Sequence, residues 1–306
     1  MADQPDRRAE LLARREDRRR ALRRRRVLAA SAVLLVVAAI AIAVASSSGG
    51  SGGRDRSSSH PGGQKASSTA SSSLVRNASP QPDWEPYTGP VPILEYHVLG
   101  SPGPGVPYPE LYVSRPDFHR QMDWLEREGY EAVTIEQVES AWFDGGTLPP
   151  KPVVLSFDDG YRPQFTYALP ELRRRGWAGV LNLKAEGSDL YHSNVEAMIE
   201  AGWELAAHTI HHLDLTELDG ERLHEEVAGS RAILRREYGV PVRDFCYPAG
   251  RFDATVVAAV EEAGYVAATT EIPGYANRKS PYELARFEIL GSTGVPGVAA
   301  DLRSGH

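Results

Sequence analysis

Two adjacent carboxylates, Asp158 and Asp159, end an apolar run that begins at Val153, and Gly160 follows them. Neighbouring carboxylates repel each other when both are ionised, so such a pair requires a cation or a shared proton. An Asp-Asp-Gly sequence is also an ordinary turn, and the pair by itself indicates a turn as readily as a site. A functional interpretation therefore depends on partner residues elsewhere in the chain.

Three histidines, His208, His211 and His212, supply candidate partners. The four-residue spacing puts His208 and His212 on the same side of one helical turn, where both can bind one metal ion. His211 offers a three-residue spacing with His208, and geometry alone does not choose between the two pairs. Two imidazoles and one carboxylate match a catalytic divalent-metal site with open positions. One aspartate then ligates the metal, and the other stays free to accept a proton from water.

Polar or turn-forming residues close two further strand-like runs, at residues 95–97 and 247–251. The alternation of a strand puts Glu95 and His97 on the same face. A histidine in this position is also found as a core residue that is satisfied by a backbone carbonyl. If the strands are parallel, all four of these strand ends meet at one edge of a sheet, where barrel folds place their sites.

The elements that must position these residues alternate between strands and helices from Trp84 to His306. Alternation of this kind predicts an α/β fold with parallel strands and right-handed crossovers, and the number of strands favours a distorted barrel of seven or eight β/α units. The predicted strands are 92–98, 131–134, 152–157, 179–183, 204–207, 244–247, 265–269 and 286–290. The predicted helices are 116–128, 135–143, 163–175, 194–201, 220–238 and 254–263.

The chain before this domain, numbered 84–306, divides into three segments. Residues 1–26 hold 11 arginines and five acidic residues, a formal charge of +6, so the whole-chain charge of −7 leaves about −13 for the rest. Residues 27–45 form an apolar run that is long enough to span a membrane, and the basic arm before it places the N-terminus in the cytoplasm. Residues 46–83 are rich in Ser, Gly and Pro and predict a flexible linker.

These segments predict a single-pass membrane protein with an extracytoplasmic domain. The alternative is secretion after cleavage near Ala45, where small residues match a signal-peptidase site. The apolar segment argues against the arm being a nucleic-acid tail, and we expect no nucleic-acid partner. The single Cys246 rules out an internal disulfide.

Residues 156–160, 208–212 and 247–251 together resemble three motifs of the carbohydrate esterase family 4 polysaccharide deacetylases, the NodB-homology domain, in the family's order. The resemblance covers roughly residues 90–290. It implies a distorted (β/α) barrel that removes N-acetyl groups from amino-sugar polymers with Zn²⁺ or a similar divalent ion. It also implies that Asp158 is the general base and that Asp159, His208 and His212 are the metal ligands.

In the third motif, Pro248 and Ala249 resemble the turn whose backbone N–H, here on Ala249, holds the oxyanion. The chain departs from the family at Cys246, where many members have Arg, and at Ala249, where they have Tyr. The late Leu-x-His element that carries the catalytic acid is also missing. In the branch of poly-β-1,6-N-acetylglucosamine deacetylases, that histidine has moved to the first strand. His97 fits this arrangement, and we therefore expect it to be the general acid.

Tyr161 either lines the sugar cleft or caps the helix that follows it. The predicted function is a metal-dependent N-deacetylase that acts on an acetylated cell-wall or extracellular polysaccharide. Two alternatives remain: an O-acetyl glycan esterase that uses the same residues, and a non-catalytic glycan-binding domain in which the departures at Cys246 and Ala249 mark a decayed site.

Overall fold

A computed structural model of the protein describes residues 74–304. The predicted arm at 1–26, the predicted membrane anchor at 27–45 and most of the predicted linker lie outside these residues. Across residues 74–304, no helix combines the length and the hydropathy of a membrane span.

Strands and helices alternate along residues 74–304, and each predicted strand and helical segment is found there. The strands are β1 (Glu85–Pro86), β2 (Val91–Tyr96), β3 (Val98–Leu99), β4 (Tyr112–Val113), β5 (Glu131–Val133), β6 (Thr147–Leu148), β7 (Pro152–Asp158), β8 (Val180–Leu183), β9 (Glu204–Ala207), β10 (Asp244–Cys246), β11 (Ala267–Thr269), β12 (Tyr275–Ala276) and β13 (Phe287–Glu288). The α-helices are α1 (Arg115–Arg127), α2 (Ile135–Phe143), α3 (Leu169–Arg173), α4 (His192–Glu200), α5 (Gly220–His224), α6 (Ser230–Tyr238), α7 (Ala254–Glu262) and α8 (Gly294–Arg303).

The main sheet has the order β11-β10-β9-β8-β7-β2-β12, with β5 pairing β7 and β13 pairing β2. Its pairs are parallel except for β2 with β12, which is antiparallel. A parallel bridge also joins Thr269 at the end of β11 to Leu284, shortly before β13. The sheet is therefore a curled half-barrel, which confirms the predicted α/β class and fits the predicted distorted barrel.

Local sequence signals explain where several helices begin. The Ser114 hydroxyl accepts a hydrogen bond from the Asp117 amide at the start of α1, and Thr134 and Gln137 form a reciprocal capping box at the start of α2. Asp253 caps α7 by accepting from two backbone amides. Such caps satisfy amide groups that have no partner inside the helix.

Two predicted helices differ from a regular α-helix. The segment predicted at 163–175 begins with a π turn (Gln164–Ala168) before α3, and the segment at 220–238 contains a π turn (Glu225–Gly229) between α5 and α6. Hydrophobic periodicity does not distinguish a π turn from an α turn, so the sequence predicts only one continuous helix in each place. The helix α8 is missing from the prediction because Gly294, Pro296 and Gly297 indicate a loop.

Residues 74–83, which the sequence assigns to the linker, pack against the domain. The side chains of Val75 and Asn77 are buried, and the Asn77 amide side chain donates to the Ala132 carbonyl at 3.0 Å. The Asn77 backbone amide donates to the carbonyl of Gly176, just before β8. A Cβ on Gly202 would lie 2.3 Å from the Cβ of Ala78, so only glycine allows this close approach. These contacts lie at the edge where the parallel strands begin.

A cluster of buried carboxyl groups lies at the same amino-terminal edge of the sheet. It comprises Glu139 on α2, Asp244 on β10 and the half-buried Glu204 on β9, whose Oε1 atom is buried. Burial raises the pKa of Glu139 to about 7 and raises that of the other two, with the Glu204 and Glu139 charges adding to the effect on Asp244. Arg243 lies 3.6 Å from Glu139 and is the nearby cation.

Candidate active site

The predicted site residues converge at the opposite, carboxyl-terminal edge of the sheet. Asp158 is the last residue of β7 and Asp159 follows it, whereas His97 follows β2 and His208 follows β9. The Pro248–Gly250 turn follows β10 by one residue. Parallel pairing brings these strand ends together, as the sequence predicts.

Asp159, His208 and His212 offer three ligand atoms that all lie within 4.8 Å of one another. The Asp159 Oδ1 atom is 3.8 Å from His208 Nε2 and 3.6 Å from His212 Nε2. One carboxylate and two imidazoles are a common donor set for catalytic zinc. His211, the alternative left open by spacing, instead directs its Nδ1 atom to the Glu226 carboxylate at 2.6 Å.

The tautomer of His208 suits metal binding. Its Nδ1 atom lies 2.8 Å from the Cys246 carbonyl oxygen, so Nδ1 carries the hydrogen and Nε2 keeps its lone pair facing Asp159. Burial lowers the pKa of His208 to about 4 and also lowers the pKa of His212. Both imidazoles are therefore neutral at neutral pH, the form in which histidine ligates metals.

The carboxylate of Asp158 accepts hydrogen bonds from Arg286 and Asn182, which are not among the candidate metal ligands. Its two carboxylate oxygens each accept a hydrogen bond of 2.9 Å from the Arg286 guanidinium, and Oδ1 accepts another from the Asn182 side chain at 2.7 Å. Burial is the largest influence and raises the pKa of Asp158, but the charge and hydrogen bonds of Arg286 and the neighbouring His208 and His97 together hold this pKa below its usual range. Because a cation already pairs with both oxygens, Asp158 is a poorer metal ligand than Asp159.

The sequence does not identify Arg286 as a site residue. It precedes β13, is 1 % exposed, and its Nη2 atom lies 3.3 Å from the Cys246 sulfur. The guanidinium thus lies beside the position where the resemblance places an arginine in other members. The available signal is a single arginine within the apolar segment 284–290, because a charged residue there must be paired if it is buried.

His97 lies within the same constellation. Its Nε2 atom is 3.7 Å from the Glu95 carboxylate, and the donor atoms of Glu95, His97 and Asp158 lie within 4.8 Å of one another. Within residues 74–304, the Nδ1 atom of His97 has no hydrogen-bond partner although it is buried. Glu95 is fully buried, which raises its pKa, and lies 3.3 Å from Arg286.

Gln164, in the π turn that precedes α3, joins the ends of β2 and β7. Its side-chain amide donates to the His97 carbonyl at 2.9 Å and to the Asp158 carbonyl at 2.7 Å. Gln164 is fully buried. It fixes the spacing between two candidate catalytic residues, a role that a helical pattern does not reveal.

Backbone strain is concentrated at the site. Five non-glycine residues among 74–304 have positive φ, and four of them belong to the candidate motifs: Asp159 (+73°), Thr209 (+64°), His212 (+58°) and Ala249 (+51°). A left-handed conformation costs an L-residue about 1–2 kcal/mol. Strain of this kind persists where surrounding contacts enforce it, and it clusters at functional sites.

The remaining predicted residues lie at the rim. Ala249 is exposed in its turn, whereas Pro248 is buried beneath it. Tyr161 is half-buried, and burial together with the neighbouring Asp159 carboxylate raises its pKa. Lys184 lies 3.6 Å from the same carboxylate. Tyr161 therefore contacts a candidate metal ligand, a position that favours the cleft-lining interpretation.

Comparison with known proteins agrees with this geometry. Residues 145–268 match the family model of polysaccharide deacetylases. The protein YxkH of Bacillus subtilis (strain 168), whose name marks it as a candidate polysaccharide deacetylase, is 28% identical over 214 residues, which are 68% of this chain and 74% of YxkH.

Two further relatives extend the comparison. The poly-β-1,6-N-acetyl-D-glucosamine N-deacetylase of Escherichia coli (strain K12) is 43% identical over 60 residues, which are 20% of this chain and only 9% of the relative. The structure of the Streptococcus pyogenes deacetylase PplD in complex with acetate superposes with a TM-score of 0.65, covers 70% of this chain and 99% of PplD, and shares 22% identity. Together, these comparisons support a polysaccharide deacetylase domain of the NodB type of carbohydrate esterase family 4 in this chain.

Proposed function

We propose that the protein hydrolyses the N-acetyl groups of an acetylated amino-sugar polymer. The observation that carries the proposal is that the carboxylates of Asp158 and Asp159 have different neighbours. Asp159 shares one cluster with two neutral imidazoles, whereas both oxygens of Asp158, which also lies near His208, accept hydrogen bonds from Arg286. The E. coli relative named above acts, by its name, on poly-β-1,6-N-acetyl-D-glucosamine, which supports this class of polymer as substrate.

In the proposed reaction, Asp158 accepts a proton from the water that attacks the acetamide carbonyl. The bidentate pair with Arg286 keeps the Asp158 carboxylate ionised and oriented for this step. The backbone N–H of Ala249 donates to the oxyanion that develops on the acetyl oxygen, a contribution typically worth about a hundred- to a thousand-fold in rate. His97 then protonates the leaving amine, so the C–N bond breaks to give acetate and an amino sugar.

Asp159, His208 and His212 would hold the divalent ion, and their donor set of one oxygen and two nitrogens suits Zn²⁺. When bound, such an ion supplies Lewis acidity, which polarises the acetyl carbonyl and lowers the pKa of water enough for a weakly basic carboxylate to deprotonate it. We further propose that the domain works outside the cytoplasm, because the basic arm and the apolar segment 27–45 predict that topology.

The test is acetate release by the full chain from poly-β-1,6-N-acetylglucosamine and, in parallel, from O-acetylated xylan, with Zn²⁺, Co²⁺ or Ni²⁺ supplied. We expect release from the N-acetylated polymer and its loss in Asp158→Asn. Release from xylan alone would indicate an O-acetyl esterase. Glycan binding without acetate release from either substrate, unaffected by Asp158→Asn, would indicate a binding domain and overturn the proposal.

A further inference from the structure

The loop between the two histidine ligands has an unfavourable backbone. Thr209 and His212 both adopt positive φ, and neither is glycine. The Thr209 hydroxyl accepts a hydrogen bond from the His212 amide at 2.8 Å, which closes the loop locally. A left-handed conformation is unfavourable for an L-residue, and one local hydrogen bond does not offset it at two positions. The loop therefore requires support from outside itself.

Glu226 provides that support. Its Oε2 atom accepts hydrogen bonds from the backbone amides of Ile210 at 3.0 Å and of His211 at 2.9 Å. Its Oε1 atom pairs with His211 Nδ1. One carboxylate thus binds two consecutive amides in the middle of the loop, and hydrogen bonds to an ionised acceptor are stronger than neutral ones.

The helix that carries Glu226 is shaped to present it. Glu226 belongs to the π turn Glu225–Gly229, and both it and the next residue, Val227, are buried. Glu226 is 1 % exposed, so its carboxylate is shielded from water. A π turn shifts the register of the inward face, and such turns recur at functional sites. Here the shift lets a charged residue and an apolar residue point inward side by side.

We propose that Glu226 is a positioning residue for the metal site: by fixing the amides of Ile210 and His211 it holds the loop so that His208 and His212 face the same ion. The inference rests on the proposed function, because it assumes that these histidines are ligands. Glu226 touches no ligand side chain and acts only through the loop backbone.

The test compares Zn²⁺ affinity in the full chain for Glu226→Gln and the matched control Glu225→Gln, by titration calorimetry without substrate. Glutamine can still offer one carbonyl oxygen to the two backbone amides, but it lacks the negative charge that strengthens both hydrogen bonds and the pair with His211. We expect Glu226→Gln to weaken Zn²⁺ binding by about 10–100-fold, the range seen when residues that orient metal ligands are lost. Among residues 74–304, Glu225 forms an ion pair with exposed Arg222, and its variant should bind as the wild type does.

Two further variants keep the test decisive. His211→Ala leaves both amide hydrogen bonds to Glu226 intact, so it should bind Zn²⁺ within about threefold of wild type, a difference below 1 kcal/mol. Glu226→Asp retains the charge and should recover part of the affinity, which guards against a Glu226→Gln variant that fails to fold.

Unchanged Zn²⁺ affinity in folded Glu226→Gln, or an equal loss in His211→Ala, would overturn the proposal, as would a wild-type chain that binds no Zn²⁺. If the wild type binds Zn²⁺, Glu226→Gln weakens it, and no acetate is released from any glycan, the positioning role stands and the proposed function fails.

Discussion

Replacing Arg286 with glutamine removes the only cation that contacts both oxygens of Asp158 among residues 74–304. Both side chains are almost fully buried, so the Asp158 charge would keep its hydrogen bond from Asn182 but lose its ion-pair partner in a medium that solvates it poorly. Leaving one member of a buried pair uncompensated costs about 3–5 kcal/mol. For a domain of this size, each kcal/mol lowers Tm by about 2–4 °C, so Tm should fall by roughly 6–20 °C near neutral pH.

The pH dependence of the Tm deficit in Arg286→Gln gives a sharper test than the size of that deficit. In the wild type, Arg286 holds the pKa of Asp158 below its unfolded value. The resulting stability is present above the unfolded pKa and is lost as pH falls through the folded pKa. In Arg286→Gln, burial becomes the dominant influence and raises the pKa of Asp158, so the contribution of this group to stability is greatest at low pH and is lost as pH rises. The Tm deficit should therefore be larger at about pH 8 than at about pH 5.

Thermal unfolding by circular dichroism at both pH values measures this deficit, with Arg174→Gln as the matched control because Arg174 is 56% exposed in its ion pair. The acid limb of the pH–rate profile should also move to higher pH in Arg286→Gln, because Asp158 then protonates more readily. An equal Tm deficit at the two pH values, or one no larger than that of Arg174→Gln, would refute the role given to Arg286.

Three other predictions follow from the site and from the far edge of the sheet. His97→Gln should lower kcat for acetate release by about 10²–10⁴-fold, the usual contribution of a general acid, with Zn²⁺ affinity by calorimetry unchanged; a parallel loss of affinity would contradict the assignment. Because burial lowers the pKa of His208 to about 4, protons compete with Zn²⁺ for this imidazole only in acid. Metal analysis after dialysis should therefore find Zn²⁺ retained at pH 6. Loss of half the bound Zn²⁺ near the unperturbed histidine pKa of about 6.5 would count against the lowered pKa of His208. Since burial raises the pKa of Glu139 to about 7, its contribution to stability is present below the unfolded pKa and is lost as pH rises through about 7. Glu139→Gln should reduce this decline in the free energy of unfolding with pH, measured by denaturant titration. A pH dependence equal to that of the wild type would exclude the contribution of Glu139.

The parts of the site that the sequence predicts are those carried by strand ends. Asp159 and His208 each follow an apolar strand, and parallel pairing alone is enough to bring such residues to one edge. The choice between His211 and His212 required the loop conformation, because one residue of register decides which imidazole faces Asp159. Spacing carries no information about that register once the backbone leaves the helical region.

The residues that support the site are much harder to predict. Arg286, Glu226 and Gln164 act from segments that are distant in sequence, and each occupies a position that a pattern assigns to an ordinary strand or helix. Two of them lie on π turns or beside them, where inward-facing positions no longer follow the 3.6-residue period. A single sequence contains no local signal of a long-range hydrogen bond, so their roles become visible only in three dimensions.

The docking of residues 74–83 at the edge where the strands begin has a mechanical consequence. Any load transmitted along the preceding chain is borne first by the contacts of Val75 and Asn77 with the turns before β8 and β9. The seven residues of β7 separate that point from Asp159 by about 23 Å at about 3.3 Å per residue. A force applied at residue 74 would therefore break these contacts before it reached the candidate metal ligands at the other end of β7.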